Sequence, residues 1–199
     1  MHKVSVVILI VATFAMLVSP AAAQGHRVGA GIGVMAPLGD MDDGAGVYGS
    51  YMFDISDMLA TYVGVGYFAG DYDIDIEQEL SAEESDPAIE GTQYELRQYT
   101  GGYESTLLEA ALVFQWQMDA LTPYAGVGGG YNFISFDDMN VGDKLSLFYT
   151  FGLLFPVGEN LSLEASARIN YLRPRSYNPD TETVDMDSWV FRLGVTWDL

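Results

Sequence analysis

Three charged residues occupy the polar sides of segments in which polar and apolar side chains alternate: Glu109, Arg168 and Arg192. Counted from the turns that bound these segments, the three lie at about the same height. A carboxylate and two guanidinium groups in a narrow interior would form buried ion pairs. We expect Glu109 to reach Arg168, Arg192 or both, with Glu164 one or two layers lower and able to join them. The alternative is a set of scattered polar groups bridged by water.

Residues suited to acid–base or nucleophilic catalysis are scarce. After residue 23 the sequence has one histidine, His26, at the start of the first segment, and it has no cysteine. A nucleophile needs a base beside it, and a transition-metal site needs His or Cys ligands. The glycine-rich GVGGGY at 126–131 does not lead into a helix, so it does not fit a phosphate-binding loop. We therefore predict no catalytic residue, no cofactor and no metal site, and a solvated His26.

Eight segments alternate with the period of two that is typical of β-strands. We place them near 26–36, 45–53, 58–76, 105–117, 122–134, 145–155, 161–172 and 188–199. No segment has the period of an amphipathic helix. Glycines share one face of the first and fifth segments, which indicates that opposite walls approach closely, as they would inside a narrow barrel.

The apolar faces of these segments are large and aromatic. Eight strands enclose an interior with room only for side chains to fill it, so these faces fit a lipid-facing wall better than the core of a soluble barrel or sandwich. The connectors alternate short and long, as do the periplasmic turns and outer loops of membrane barrels. The sequence predicts an all-β, eight-stranded antiparallel up-and-down transmembrane β-barrel in the bacterial outer membrane, with both termini periplasmic.

Residues 1–23 have the pattern of a cleavable signal peptide. Lys3 gives a positive start, 4–18 form an apolar run, and Pro20 precedes three alanines. The run is shorter than the roughly 20 residues of a membrane-spanning helix. We therefore predict a signal peptide over 1–23 and a barrel domain over 24–199.

The charge of the chain is strongly acidic, with a formal net charge of −20 and a pI near 4.1. This excludes nucleic acid as an expected partner. Most acids fall at the long connectors, within 40–43, 71–95, 137–143 and 180–187. In DYDIDIEQE at 71–79 every odd position is an acid, and we expect the third strand to continue there above the bilayer. Divalent-cation capture is one interpretation, but the spacing matches no calcium loop, and a solvated acidic surface is favoured.

Two stretches carry a resemblance to a known family. TPYAGVGGGY at 122–131 is similar to a strand start, and RLGVTWDL at 192–199 to a terminal assembly signal, of the small outer-membrane β-barrel superfamily of the OmpA/OmpX type. The resemblance implies that the barrel-assembly machinery recognises Arg192, Gly194, Trp197 and Leu199. Leu199 replaces the usual terminal Phe. Outer-membrane lipids and lipopolysaccharide are the other expected partners, and no oligomeric state is indicated.

The function that these features favour is that of a non-enzymatic outer-membrane barrel with a structural or surface-interaction role. Its acidic outer loops would be the contact surface. A small pore for solutes or ions is the alternative and requires a continuous wet lumen. A lipid- or peptide-modifying enzyme is a third possibility and requires a nucleophile and a base at the outer rim.

Overall fold

The computed structural model describes residues 25–38, 41–79, 94–118, 120–137, 144–172 and 187–199, with the backbone alone for 74–79 and 94–97. These residues form eight strands: β1 Gly25–Pro37, β2 Met41–Ser56, β3 Leu59–Glu79, β4 Tyr94–Gln115, β5 Thr122–Phe136, β6 Lys144–Pro156, β7 Leu161–Tyr171 and β8 Ser188–Asp198. In these ranges no helix is long and apolar enough to cross a membrane. The predicted signal peptide, 1–23, lies outside the described residues and stays a prediction.

The strands form a closed antiparallel barrel in which each strand pairs with the next in sequence. The ring closes where β1 pairs with β8, from Arg27 opposite Asp198 to Pro37 opposite Ser188. Closure leaves no unpaired sheet edge within the ring, and a sheet inside a bilayer requires this because lipid offers no hydrogen bonds. The eight-stranded up-and-down barrel predicted from the alternation is confirmed.

The apolar side chains of each strand point mainly outward. On β8, Phe191 and Leu193 are 51% and 63% exposed, whereas Arg192 between them is 5% exposed. A soluble barrel would show the reverse pattern. The outer wall is therefore the surface that meets lipid, and the polar face lines the lumen, as the sequence predicted.

Strands β3 and β4 are much longer than the others, and they pair along their whole length up to Glu79 opposite Tyr94. β2 accompanies β3 only as far as Tyr72, and β5 accompanies β4 only as far as Tyr103. Residues 73–79 and 94–100 thus form a two-stranded extension beyond the barrel, which we call the outer hairpin. At a rise of about 3.3 Å per residue, this extension is roughly 23 Å long.

The predicted start of the fourth strand near 105 is wrong, because β4 begins at Tyr94. The stretch 94–102 has no continuous apolar face and so gave no strand pattern. Above the bilayer a strand needs no apolar outward face, because that face meets water. The alternating acids of 71–79 have the same origin: Asp71 and Asp73 share the outward face of β3 and are exposed, whereas Tyr72 between them is buried.

The lumen contains large aromatic side chains, which the sequence analysis had placed mainly on the outside. Tyr48 lies so close to the glycines of nearby strands that a Cβ at Gly31 or Gly194 would come within 2.7 Å or 2.5 Å of its ring or hydroxyl. Phe148 covers Gly128 in the same way. The glycines therefore accommodate rings from nearby strands. The expectation that the glycines allow opposite walls of the barrel to approach each other is wrong, because aromatic rings occupy the space beside them.

These rings form two apolar clusters at different heights in the lumen. The upper cluster, towards the outer end, comprises Met35, Met41, Phe68, Tyr72, Tyr103, Ile134, Phe136, Leu172 and Val190. The lower cluster comprises Met52, Ala60, Tyr62, Ala111, Val113, Tyr124, Phe148 and Leu154. Both clusters are buried and occupy part of the narrow interior. Of the predicted ionic residues, Glu109 lies between the two clusters in height, whereas Glu164 is opposite Leu154 of the lower cluster.

Candidate functional site

The barrel brings three of the four predicted ionic residues together. Glu109 on β4 lies about half-way round the ring from Arg192 on β8, and Arg168 is on the neighbouring strand β7. All three point inward because they occupy lumen-facing positions of the alternation, and all are buried. Charged side chains that cross the lumen tie together strands that share no backbone hydrogen bond.

Glu109 and Arg192 make a two-bond contact. Arg192 Nη1 donates to Glu109 Oε1 at 2.8 Å, and Nη2 donates to Oε2 at 3.2 Å. Tyr62 on β3 donates its hydroxyl to the same Oε1 at 2.6 Å and accepts a bond from Arg192 Nη1 at 2.9 Å. Paired oxygens facing a planar guanidinium fix both distance and orientation. Tyr62 was not identified from the sequence, because aromatic residues occur on both faces of the strands.

Arg168 is the third member of a group of charged residues that we call the ion triad: Glu109, Arg168 and Arg192. Its Nη1 pairs with Glu109 Oε2, and its Nε donates to Asn170 Oδ1 at 2.5 Å. The guanidinium carbon stands 3.8 Å from the centre of the Phe148 ring, within the range of a cation–π contact. Arg168 is thus held by an anion, an amide and a ring, and Phe148 links the triad to the lower cluster.

Glu164 lies lower and does not pair with an arginine in the described part of the chain. Tyr124 donates to Glu164 Oε1 at 2.5 Å, and Tyr48 donates to Oε2 at 3.5 Å. The Arg192 guanidinium carbon is 4.9 Å from the centre of the Tyr48 ring, so Tyr48 connects the two levels through a cation–π contact. The partners of Glu164 are therefore tyrosines and not the arginines that the sequence suggested. The two acids and two bases formally balance, which favours their joint burial.

The space left among these groups is small. A cavity of about 10 Å³ lies between Glu164, Arg168, Arg192, Tyr124 and neighbouring side chains. That volume is close to the minimum that holds a single water molecule. The charged layer is therefore tightly packed around this cavity, and buried apolar clusters lie above and below it.

A second polar group lies at the end of the barrel where β1 begins and β8 ends. Arg27 Nη2 donates to Asp54 Oδ1 at 2.5 Å and to Gln115 Oε1 at 2.6 Å, and Gln115 Nε2 donates to Asp54 Oδ1 at 2.8 Å. These residues tie β1, β2 and β4 together. Arg27 and Asp54 were not identified from the sequence, although both fall on the polar side of their strands. His26 was expected to be solvated, but it is half-buried and contacts the Tyr51 hydroxyl at 2.5 Å.

The four residues of the predicted assembly signal all lie along β8 or directly after it. Arg192 and Gly194 face the lumen, where Gly194 accommodates Tyr48. Trp197 and Leu199 are exposed on the outer wall, and the Leu199 amide donates to the His26 carbonyl at 2.8 Å. The residues therefore occupy the seam that closes the barrel. Their recognition by the assembly machinery stays a prediction.

Chemically, the lumen residues are arranged to hold strands together. Among the described residues, no group of three or more His, Cys, Asp or Glu is placed to hold a metal ion. Glu109 and Glu164 are engaged with guanidinium or phenol groups, and the cavity beside them has no room for a substrate. The arrangement suits an internal plug.

Comparison with known proteins agrees with this architecture. Three solved structures share the fold at low identity: OprG of Pseudomonas aeruginosa (12% identity, 89% of this chain and 97% of that one, TM-score 0.67), Neisserial surface protein A (16%, 87% and 95%, 0.59) and Ail of Yersinia pestis (16%, 88% and 99%, 0.54). No curated protein sequence matches the chain. The family model of the outer membrane protein β-barrel domain matches residues 8–198. The chain therefore belongs to this family and is a β-barrel protein of the bacterial outer membrane.

Proposed function

We propose that this protein is a non-enzymatic outer-membrane barrel whose function resides at its outer surface. The observation that carries the proposal is a contrast between the two parts of the molecule. The lumen contains two buried apolar clusters and a tightly packed ion triad, whereas the outer hairpin extends beyond the ring of eight paired strands. An ordered two-stranded extension offers a surface for contact that the closed lumen does not.

The charge of that surface indicates the chemistry of the partner. Asp42, Asp43, Asp71, Asp73 and Asp137 are exposed at the outer end of the barrel or at the base of the outer hairpin. A partner with a basic surface would gain from this field, both in encounter rate and in orientation. Ail of Yersinia pestis was solved with sucrose octasulfate, a heparin analogue and thus a polyanion. The acidic outer end of this chain would repel such a ligand.

Binding to defined polyelectrolytes tests the proposal. We expect the full-length protein in lipid nanodiscs to bind polylysine and not to bind heparin. The affinity for polylysine should fall as the salt concentration increases, because salt screens the charges. Asp71→Asn with Asp73→Asn should weaken polylysine binding. The matched control is Asp57→Asn, because Asp57 is exposed in the turn between β2 and β3 at the opposite end. Heparin binding, or an equal loss in the control, would contradict a contact surface at the outer end.

The two alternatives have less support. A pore needs a continuous water-filled path through the lumen. The two apolar clusters and the ion triad occupy the lumen and oppose such a path. An enzyme needs a nucleophile beside a base at the outer rim, and His26 lies at the opposite end of the barrel, against Tyr51.

A further inference from the structure

The outer wall carries an open apolar groove that the proposed function does not use. Its volume is about 830 Å³, and it crosses β3 to β6. This is within the range of cavities that hold small ligands. The groove lies in the apolar band that faces lipid, so hydrocarbon is the medium at its mouth.

The strand register explains the shape of the groove. Ala110 on β4 is directly opposite Gly129 on β5, and both positions face outward. Across the neighbouring strands this small pair is flanked by Val63 and Leu147. Along the strands it is bounded above by Leu108 and Tyr131 and below by Leu112 and Val127. Two adjacent small residues inside a ring of large ones make a depression.

Exposure shows which side chains form the walls of the groove. Leu145 and Leu147 on β6 are 78% and 68% exposed, more than most apolar residues of the outer wall. Phe133 packs edge-on against Tyr131, with ring centres 4.9 Å apart, at the upper rim. The groove therefore leads from the outer rim of the apolar band down to the Ala110–Gly129 pair at mid-depth.

We propose that the groove is a specific binding site for one acyl chain of an outer-leaflet lipid, whose end occupies the depression at Ala110 and Gly129. The groove is continuous with the wall that already contacts lipid, and a flexible hydrocarbon chain can adapt to its shape. A second copy of this protein fits less well. In a two-fold dimer the depressions of the two copies would face each other. The interface would then enclose a large empty space, and the side chains around it would lose van der Waals contacts.

The test measures proximity to the end of a lipid chain. The full-length protein is placed in nanodiscs whose phosphatidylcholine carries a nitroxide near the chain terminus, and paramagnetic relaxation is read at methyl groups. We expect stronger relaxation at Val63 and Leu147 than at Leu193, an exposed mid-strand residue of β8 far from the groove. Equal relaxation at the three sites would overturn the proposal, and so would weaker relaxation at Val63 and Leu147, which a protein partner covering the groove would cause.

A filling variant then separates a site from general lipid contact. Gly129→Val should lower the relaxation at Val63 and Leu147 to the level at Leu193, because the added side chain occupies the depression. A Cβ at Gly129 meets nothing closer than 3.5 Å, so the β-carbon of the new side chain fits without a clash. Gly49→Val is the matched control: Gly49 also faces outward, with 3.9 Å to its nearest neighbour, and lies outside the groove.

Ala110→Val provides a second filling variant from the neighbouring strand, in case Gly129→Val folds poorly. Unchanged relaxation at Val63 and Leu147 in a folded filling variant would overturn the proposal. An equal loss in Gly49→Val would do the same. The outcome is independent of the proposed surface function, because neither variant alters the outer hairpin.

Discussion

Arg192 and Glu109 meet across the lumen through two hydrogen bonds of 2.8 Å and 3.2 Å, although they stand on strands half a turn of the barrel apart. Backbone pairing joins only neighbouring strands, so no backbone hydrogen bond links β4 to β8 directly. The ion pair adds a direct link across the ring, and Arg168 and Tyr62 hold the same carboxylate from two further strands. The triad thus links strands on opposite sides of the barrel and also occupies space in the lumen.

Removing the charge of Glu109 should be costly. In Glu109→Gln the guanidinium groups of Arg168 and Arg192 stay buried without their anion, and breaking such a pair costs about 3–5 kcal/mol. We expect a decrease of that order in the free energy of unfolding, measured by urea titration in lipid vesicles. Glu159→Gln, in the exposed turn between β6 and β7, is the control and should be near neutral. Equal stability of the two variants would show that the triad does not brace the barrel.

Two adjacent glycines should respond differently to the same substitution. A Cβ at Gly128 would lie 2.3 Å from the Ala110 carbonyl oxygen and 2.5 Å from Phe148 Cζ, whereas one at Gly129 has ordinary contacts. We expect Gly128→Ala to lose about 1–3 kcal/mol of unfolding free energy through overpacking. Gly129→Ala should change little. The same urea titration compares them, and equal effects would mean that Phe148 does not lie over the β5 backbone.

The hydroxyl of Tyr124 should matter because its partner is a buried carboxylate. Tyr124→Phe leaves Glu164 with the longer, 3.5 Å bond from Tyr48. Hydrogen bonds to charged groups contribute about 1.5–3 kcal/mol, and we expect a loss of that order in thermal or urea unfolding. Tyr149→Phe, on the exposed outer wall of β6, is the matched control. A loss no larger than that of the control would place Glu164 outside the stabilising network.

The sequence was sufficient to predict the parts of the fold that follow from alternation. On β8 the residues that the pattern assigned to lipid, such as Phe191 and Trp197, point outward, whereas Val190 on the polar side is buried in the upper cluster. The predicted segment ends at 134, 145, 155 and 161 agree with the observed strand ends to within two residues. Period two and connector length are local properties, so one sequence reveals them.

The features that the sequence did not reveal depend on the radial packing of the lumen. Glu109, Arg168 and Arg192 could be placed on one level by counting from the turns. The tyrosines that bind Glu109 and Glu164 could not, because aromatic residues occur on both faces and the glycines that make room for them lie on other strands. The early start of β4 was not predicted for another reason. Above the bilayer the outward face of a strand meets water and need not be apolar, so the sequence lacks the alternation that identifies a strand.

The closed lumen is the claim on which the proposed function rests, and ion conductance tests it most directly. The full-length protein, shown to be inserted and folded, is measured in planar bilayers at moderate salt. We predict no steady channel current, because the two apolar clusters and the ion triad leave a central cavity of only about 10 Å³. Stable, reproducible single-channel openings of the wild-type barrel would contradict the account and favour the pore.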